Sequence, residues 1–165
     1  MSDIKNLKQL GNKKTKYYNK PNINILETFE NQNQERDYLV PFICTEFTSL
    51  CPKTGQPDFA KFEIIYIPDV NMVESKSLKL YLFSYRNSGE FHEDVTNRIF
   101  NDLWAKLQPK YLRVFGDFAV RGGIAIKPLV ERLNLNLITN DGYEEINRLI
   151  ESYDRIKNQS HEYRI

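Results

Sequence analysis

Cys51 lies in the segment Ser49-Leu-Cys-Pro-Lys-Thr-Gly-Gln-Pro-Asp58. A thiolate is the nucleophilic form of cysteine, and a free thiol with a pKa of about 8.5 needs help to ionise. Asp58 follows across two prolines and a glycine. A loop this stiff can fold back and carry the carboxyl to the sulfur, either to accept its proton or to hold one for delivery. The plain alternative is a small buried hydrophobe. Cys44, in an apolar strand-like context, is read in that second way.

A second cluster is Phe91-His92-Glu93-Asp94. Acids in a first helical turn are favoured by the helix dipole on their own account. That covers Glu93 and Asp94, but not an aromatic followed by a histidine, and the chain has only His92 and His161. Together such groups can hold a flat heterocycle. The two oxygens of Glu93 suit the paired N–H donors of a guanine-like edge, and Phe91 can stack on the ring. A third cluster is Lys76, Lys79 and Arg86, at i, i+3 and i+10 and close to one helical stripe. It reads either as a solvated face or as a phosphate-binding one. Arg121-Gly122-Gly123 is a further anion candidate, because glycine lets backbone approach closely. No G-x-G-x-x-G or Walker A loop is present. Cys44, Cys51 and His92 are the only plausible zinc ligands and lack C-x-x-C spacing, so no metal is expected.

These residues need elements to position them. DYLVPFICTEFT (37–48) is β-branched and aromatic and predicts a strand, with Pro41 marking an edge or a bulge. The Pro/Gly loop follows, and FAKFEIIYIP (59–68) predicts the returning strand of a wide hairpin. Asn71 to Glu74 reads as a capping-box-like start for the helix ESKSLKLYLFSYRN, with Leu78, Tyr81, Leu82 and Tyr85 on one face. FHEDVTNRIFNDLWAKLQ predicts a second helix burying Phe91, Val95, Ile99, Leu103, Trp104 and Leu107. YLRVFGDFAV (111–120), with Gly116 as a bulge, and IAIKPLV (124–130) predict two more strands. Residues 142–157 predict a polar, amphipathic surface helix. The order β-β-α-α-β-β makes an α+β fold, an antiparallel four-stranded sheet with two helices on one face. The other sheet face then needs a partner.

With 165 residues the chain can bury a core without disulfides, and it makes one domain. The expected division is a flexible arm over 1–22, a domain over 23–140, and a C-terminal helix and tail over 141–165. Twenty-three basic against twenty-two acidic residues argue against a protein that coats nucleic acid or membrane. No apolar run suits a transmembrane span or a signal peptide. Two cysteines fit a reducing compartment. The expectation is a soluble, cytoplasmic protein.

Residues 46–60, EFTSLCPKTGQPDFA, resemble the active-site loop of the QueF family of NADPH-dependent 7-cyano-7-deazaguanine reductases. Residues 74–81, ESKSLKLY, fit that family's signature E-(S/L)-K-(S/A)-x-K-L-(Y/F/W) at every position, and FHED at 91–94 also fits. The resemblance runs from about Leu26 to Pro128. Signature and nucleophile share one short chain, as in the unimodular type.

The resemblance implies the tunnelling fold, with subunits assembled in pentameric rings, usually two face to face, and sites at subunit interfaces. It implies reduction of a nitrile to an amine through a covalent cysteine thioimide, with two NADPH, in queuosine biosynthesis for tRNA modification. Cys51 would be the nucleophile, Asp58 the proton donor and His92 an aid to proton transfer. Glu93 and Phe91, with Glu74 and Ser75, would bind 7-cyano-7-deazaguanine. Ser75, Lys76, Ser77 and Lys79 would serve NADPH, and Arg86, Arg121 and Gly122 are added to that set. Neither a nucleic acid nor a membrane is an expected partner. Two alternatives are a zinc-dependent cyclohydrolase of the same fold and a non-enzymatic purine- or RNA-binding module.

Overall fold

The computed structural model describes residues 16–159. Most of the expected arm, and His161, lie outside the described residues. The strands are β1 (Thr28–Glu30), β2 (Val40–Leu50), β3 (Pro57–Ile67), β4 (Asn71–Val73), β5 (Tyr111–Phe118) and β6 (Leu129–Leu133). The helices are α1 (Ser75–Phe83), α2 (His92–Leu107) and α3 (Asn140–Gln159). A four-stranded antiparallel sheet runs β2-β3-β5-β6, beside a small β1-β4 pair. The expected α+β layering is therefore present. Pro41 sits on the edge strand β2, where a missing N–H is tolerated, and β2 also bulges between Cys44 and Phe47.

Side chains alternate across the sheet. Ala60, Phe62, Ile64 and Tyr66 of β3, with Leu112, Val114 and Phe118 of β5, face α1 and α2. There they pack against Leu78, Tyr81, Leu82 and Tyr85 from the first helical segment and Val95, Ile99, Leu103 and Leu107 from the second. Both helical stripes were legible from their spacing. Phe91 is the exception. It precedes the first turn of α2 and is 51% exposed, because the helix burying that stripe begins only at His92.

Several expectations are corrected. Asn71 does not cap α1; it belongs to β4. Glu74 is the cap, its Oε1 accepting from the Lys76 N–H and its Oε2 from the Ser77 N–H, each at 2.7 Å. Loss of an N-cap costs about 1–2 kcal/mol. Glu74→Ala is therefore expected to lower the melting temperature by about 2–8 °C in a chain of this size, measured by thermal unfolding; an unchanged midpoint would show that the cap is dispensable.

Gly116 is not a bulge, since β3 and β5 pair through it without a register shift. A Cβ there would lie 3.0 Å from Phe62 and Phe118 ring carbons and 3.1 Å from Thr96 Oγ1, so glycine lets α2 close on the sheet. The last strand begins at Leu129, later than expected. Pro128 ends the preceding segment, which only leans on β5 through the Gly116 N–H to Pro128 oxygen and Phe118 N–H to Ile126 oxygen bonds.

The back of the sheet is partly met within the chain. Ile146 of α3 is fully buried with Ile65, Ile67 and Tyr111, and Leu149, Ile150 and Tyr153 pack around them. Arg113 binds Asp154, and Lys157 binds Glu63. This helix is thus a layer of the fold and not a polar appendage. At the other end of the chain, Pro21 is buried, its carbonyl accepts from Arg98, and Tyr18 packs on the core. The chain is docked before the expected arm boundary at 22.

Candidate active site

The loop after β2 is closed by its own backbone. The Cys51 N–H donates to the Gln56 oxygen at 2.8 Å, and the Gly55 N–H to the Cys51 oxygen at 2.9 Å. This turn brings the sulfur over residues 53 and 54. The Thr54 hydroxyl, the Thr54 and Lys53 backbone N–H groups and the Arg121 guanidinium hydrogen-bond it, and they lower the thiol from its ordinary value to about 7. Donors aimed at a sulfur favour the charged form. Cys44 shows the opposite environment. It is half-buried against the core, and burial pushes its thiol up to about 11. The two thiols are thus shifted in opposite directions.

Asp58, near the start of β3, is only 4% exposed. His92 Nε2 lies 3.0 Å from its Oδ1, and Arg121 Nη2 lies 2.7 Å from the same oxygen. The His92 ring stacks on Phe118, with centroids 4.0 Å apart and planes 11° apart, which fixes its direction. The bond to Asp58 leaves His92 Nδ1 buried without a partner among the described residues. The entry to α2 is tied to the nucleophile loop. The Leu50 N–H donates to the Ser88 oxygen, and the Glu90 N–H to the Leu50 oxygen.

Arg121, expected among cofactor residues, lies beside Cys51 and Asp58 and also donates to the Pro57 and Gln56 oxygens at 2.7 and 3.2 Å. Gly122 and Gly123, both at positive φ (56° and 82°), form the tight turn that presents it, and Arg121 and Ile124 bond each other across that turn. Gly122 therefore has a backbone reason that needs no anion.

One chain thus brings Cys51, Asp58, His92 and Arg121 together. Phe91 and Glu93 flank His92 but are exposed, at the mouth of the cluster. The signature residues are elsewhere. Ser75 and Lys79, both exposed, line a cavity of about 370 Å³ between α1 and β2, with Phe42, Cys44, Glu46, Leu78, Phe83 and Tyr17. Cys51 is seven residues beyond Cys44 along β2, about 20 Å at strand rise. Lys76 is half-buried, and Arg86 lies over the Phe83 ring at 4.0 Å. Ser77 is fully buried; its hydroxyl donates to the Glu74 oxygen and accepts from the Glu27 N–H, so it ties the segment before β1 to α1 and offers no surface to a cofactor. Thr54 was missed in the sequence, although C-x-x-T is the spacing at which a turn returns a hydroxyl to the sulfur.

Thr54→Val tests that hydroxyl. A thiol whose value is lowered to about 7 is reactive above that pH and loses reactivity as pH falls through it. The variant is expected to move the midpoint of Cys51 alkylation upward. At slightly acid pH the rate should fall severalfold, while at alkaline pH the two proteins converge. An unmoved midpoint in iodoacetamide titrations would remove Thr54 from the site.

Residues 57–136 match the family model described as QueF-like protein. That span holds Asp58, the signature, the FHED segment and Arg121, while Cys51 precedes it. The chain is 60% identical over 126 residues to a protein of Bacillus cytotoxicus named NADPH-dependent 7-cyano-7-deazaguanine reductase, covering 76% of each chain. Proteins of the same name from Streptococcus mutans and Neisseria meningitidis are 60% and 58% identical, covering 76% of this chain and 78% and 80% of theirs. A crystal structure of the archaeosine synthase QueF-Like in the apo form superposes with a TM-score of 0.54 at 23% identity, over 59% of this chain and 95% of that one, which establishes the shared fold. Identity at this level across three quarters of the sequence means that the chain belongs to the family of NADPH-dependent 7-cyano-7-deazaguanine reductases.

Proposed function

We propose that this chain reduces the nitrile of 7-cyano-7-deazaguanine to the aminomethyl group of 7-aminomethyl-7-deazaguanine, as a cytoplasmic step of queuosine biosynthesis. The observation that carries this reading is a thiol poised near neutral pH in one cluster with a buried carboxyl that meets a histidine and an arginine. A nitrile is a poor hydride acceptor. Attack by the Cys51 thiolate on its carbon forms a C–S bond and breaks one C–N π bond. The released electron pair takes a proton from Asp58 at nitrogen, and the result is a thioimide. His92, bonded to Asp58, replaces that proton. Arg121 holds the carboxyl in place and offsets the charge left when it ionises. Bound NADPH would supply the hydrides that reduction of the thioimide and then of the imine requires, two molecules per amine.

The residues present fit that cofactor. Lys79 offers an ammonium group to phosphate, Ser75 a hydroxyl, and Phe42, Leu78 and Phe83 apolar walls for a ring; Arg86 stands at the same end, and Lys76 follows Ser75 on α1. Glu93 would take the guanine-like edge and Phe91 would stack on the ring.

The thioimide must be kept from water. Yet residues 52–57 are exposed and the signature stands far along β2 in the same chain. A neighbouring copy that lays its signature, with Glu74 and Ser75, over the Cys51 cluster would close the pocket. This supports rings of pentamers, stacked as decamers, with sites between subunits. The substrate is a free base, so no nucleic acid or membrane partner is needed. No described helix is long and apolar enough to cross a membrane. A cyclohydrolase would need several zinc ligands in one place, and among the described residues no three His, Cys, Asp or Glu side chains gather for a metal.

Oxidation of NADPH with and without 7-cyano-7-deazaguanine tests the proposal. Two cofactors consumed per amine, and a protein mass raised by the nitrile when NADPH is withheld, are expected. Binding of the base without adduct or oxidation would leave a binding module. Stoichiometric zinc with ring opening would leave a cyclohydrolase.

A further inference from the structure

Ser49 of β2 is fully buried, and its hydroxyl meets no hydrogen-bonding partner among the described residues. Leaving a buried hydroxyl unpaired is costly, and such groups persist where they serve a changing partner. Ser49 is the register partner of Asp58 across the β2–β3 ladder. Directly opposed residues share a face, with Cβ atoms about 4.5–5.5 Å apart. Asp58 in turn is lopsided. The nearest contacts of His92 Nε2 and Arg121 Nη2, at 3.0 and 2.7 Å, are both to Oδ1.

We propose that Ser49 is a positioning residue for Asp58, its hydroxyl turning to donate to Oδ2 as that oxygen gives its proton to the nitrile nitrogen. The inference rests on reading Asp58 as the proton donor. In that step the Oδ2–H bond breaks and an N–H bond forms, and negative charge is left on an oxygen that is nearly out of water. The charged groups facing it are Arg121, from the turn after β5, and His92, from α2, and both are already committed to Oδ1. A serine hydroxyl rotates with little hindrance and can donate to the new carboxylate without moving the backbone. Ser49 keeps its own proton throughout, so it adds no step to the balance.

The test is the rate of adduct formation with excess 7-cyano-7-deazaguanine and no NADPH, followed by intact mass, in the full-length protein. Ser49→Ala is expected to slow the adduct about 10- to 100-fold, with its melting temperature unchanged or raised because an unpaired buried hydroxyl is gone. Ser49→Thr, which keeps the hydroxyl, is expected to restore most of the rate. In an Asp58→Asn background, Ser49→Ala is expected to add nothing, because the two act through one oxygen. A wild-type rate in Ser49→Ala, equal slowing in the Thr variant with the fold intact, or full additivity with Asp58→Asn would each overturn the proposal. So would an Ala variant that fails to fold, since the hydroxyl would then be structural. If the wild-type protein forms no adduct at all, the nitrile-reductase reading fails first, and the two failures are told apart.

Discussion

Replacement of Cys51 by Ala is expected to leave the fold intact and to lower nitrile turnover by about 10⁴-fold or more. The side chain is only half-buried and belongs to no core cluster, so its loss opens no cavity. What would disappear, on the proposed route, is the C–S bond that turns a nitrile into a C=N group able to accept hydride. The expected signature has three parts. No adduct is seen by intact mass, NADPH oxidation falls to background, and NADPH binding, followed by fluorescence, is unchanged because the thiol is not among the groups that would hold the cofactor. A Cys51→Ala protein that still turns over at a tenth of the normal rate would show that hydride reaches the nitrile directly.

The second large effect is expected at Asp58. In Asp58→Asn an oxygen remains where His92 Nε2 and Arg121 Nη2 converge, but the group carries no acidic proton. Removing a general acid costs about 10²- to 10⁴-fold. Adduct formation should fall by that factor. Alkylation of Cys51 by iodoacetamide should change little, because that reaction needs the thiolate and no proton delivery, and the Thr54 and Lys53 donors at the sulfur remain. The pair of measurements separates delivery of the proton from activation of the sulfur. If alkylation collapsed together with adduct formation, Asp58 would be a prop for the thiolate. If neither changed, the proton would come from elsewhere, with His92 the next group to replace.

Much of the fold was legible because its signals are local. Leu78, Tyr81, Leu82 and Tyr85, and Val95, Ile99 and Leu103, recur at helical spacing, and helical spacing alone decides which face is apolar. The hairpin around Cys51 was legible because proline fixes its φ and glycine opens turn conformations closed to other residues, wherever they stand. The errors arose where a long-range partner overrode a local cue. Asn71 resembles a helix cap, but pairing of β4 with β1 claims it. Gly116 looks like a bulge in one strand, yet it answers to Phe62, Phe118 and Thr96, which are distant in sequence. The polar helix at the C-terminus looked like a surface element until Ile146 met Ile65, Ile67 and Tyr111.

The site divides in the same way. The available chemistry could be read from residue order alone: one cysteine in a stiff loop with an aspartate at its far end, and a histidine at a helix entry. Residue type and short spacing set those, because nucleophile strength and loop stiffness are properties of a few adjacent residues. The partners of these groups came from long-range packing. It placed His92 and Arg121 on the same oxygen of Asp58, set Arg121 beside Cys51 as well, withdrew Ser77 into the interior and set Ser49 opposite Asp58. Those outcomes depend on strand register and on the docking of α2 against β5. They are fixed by burying apolar surface across the whole sheet, and no local stretch of sequence carries that information.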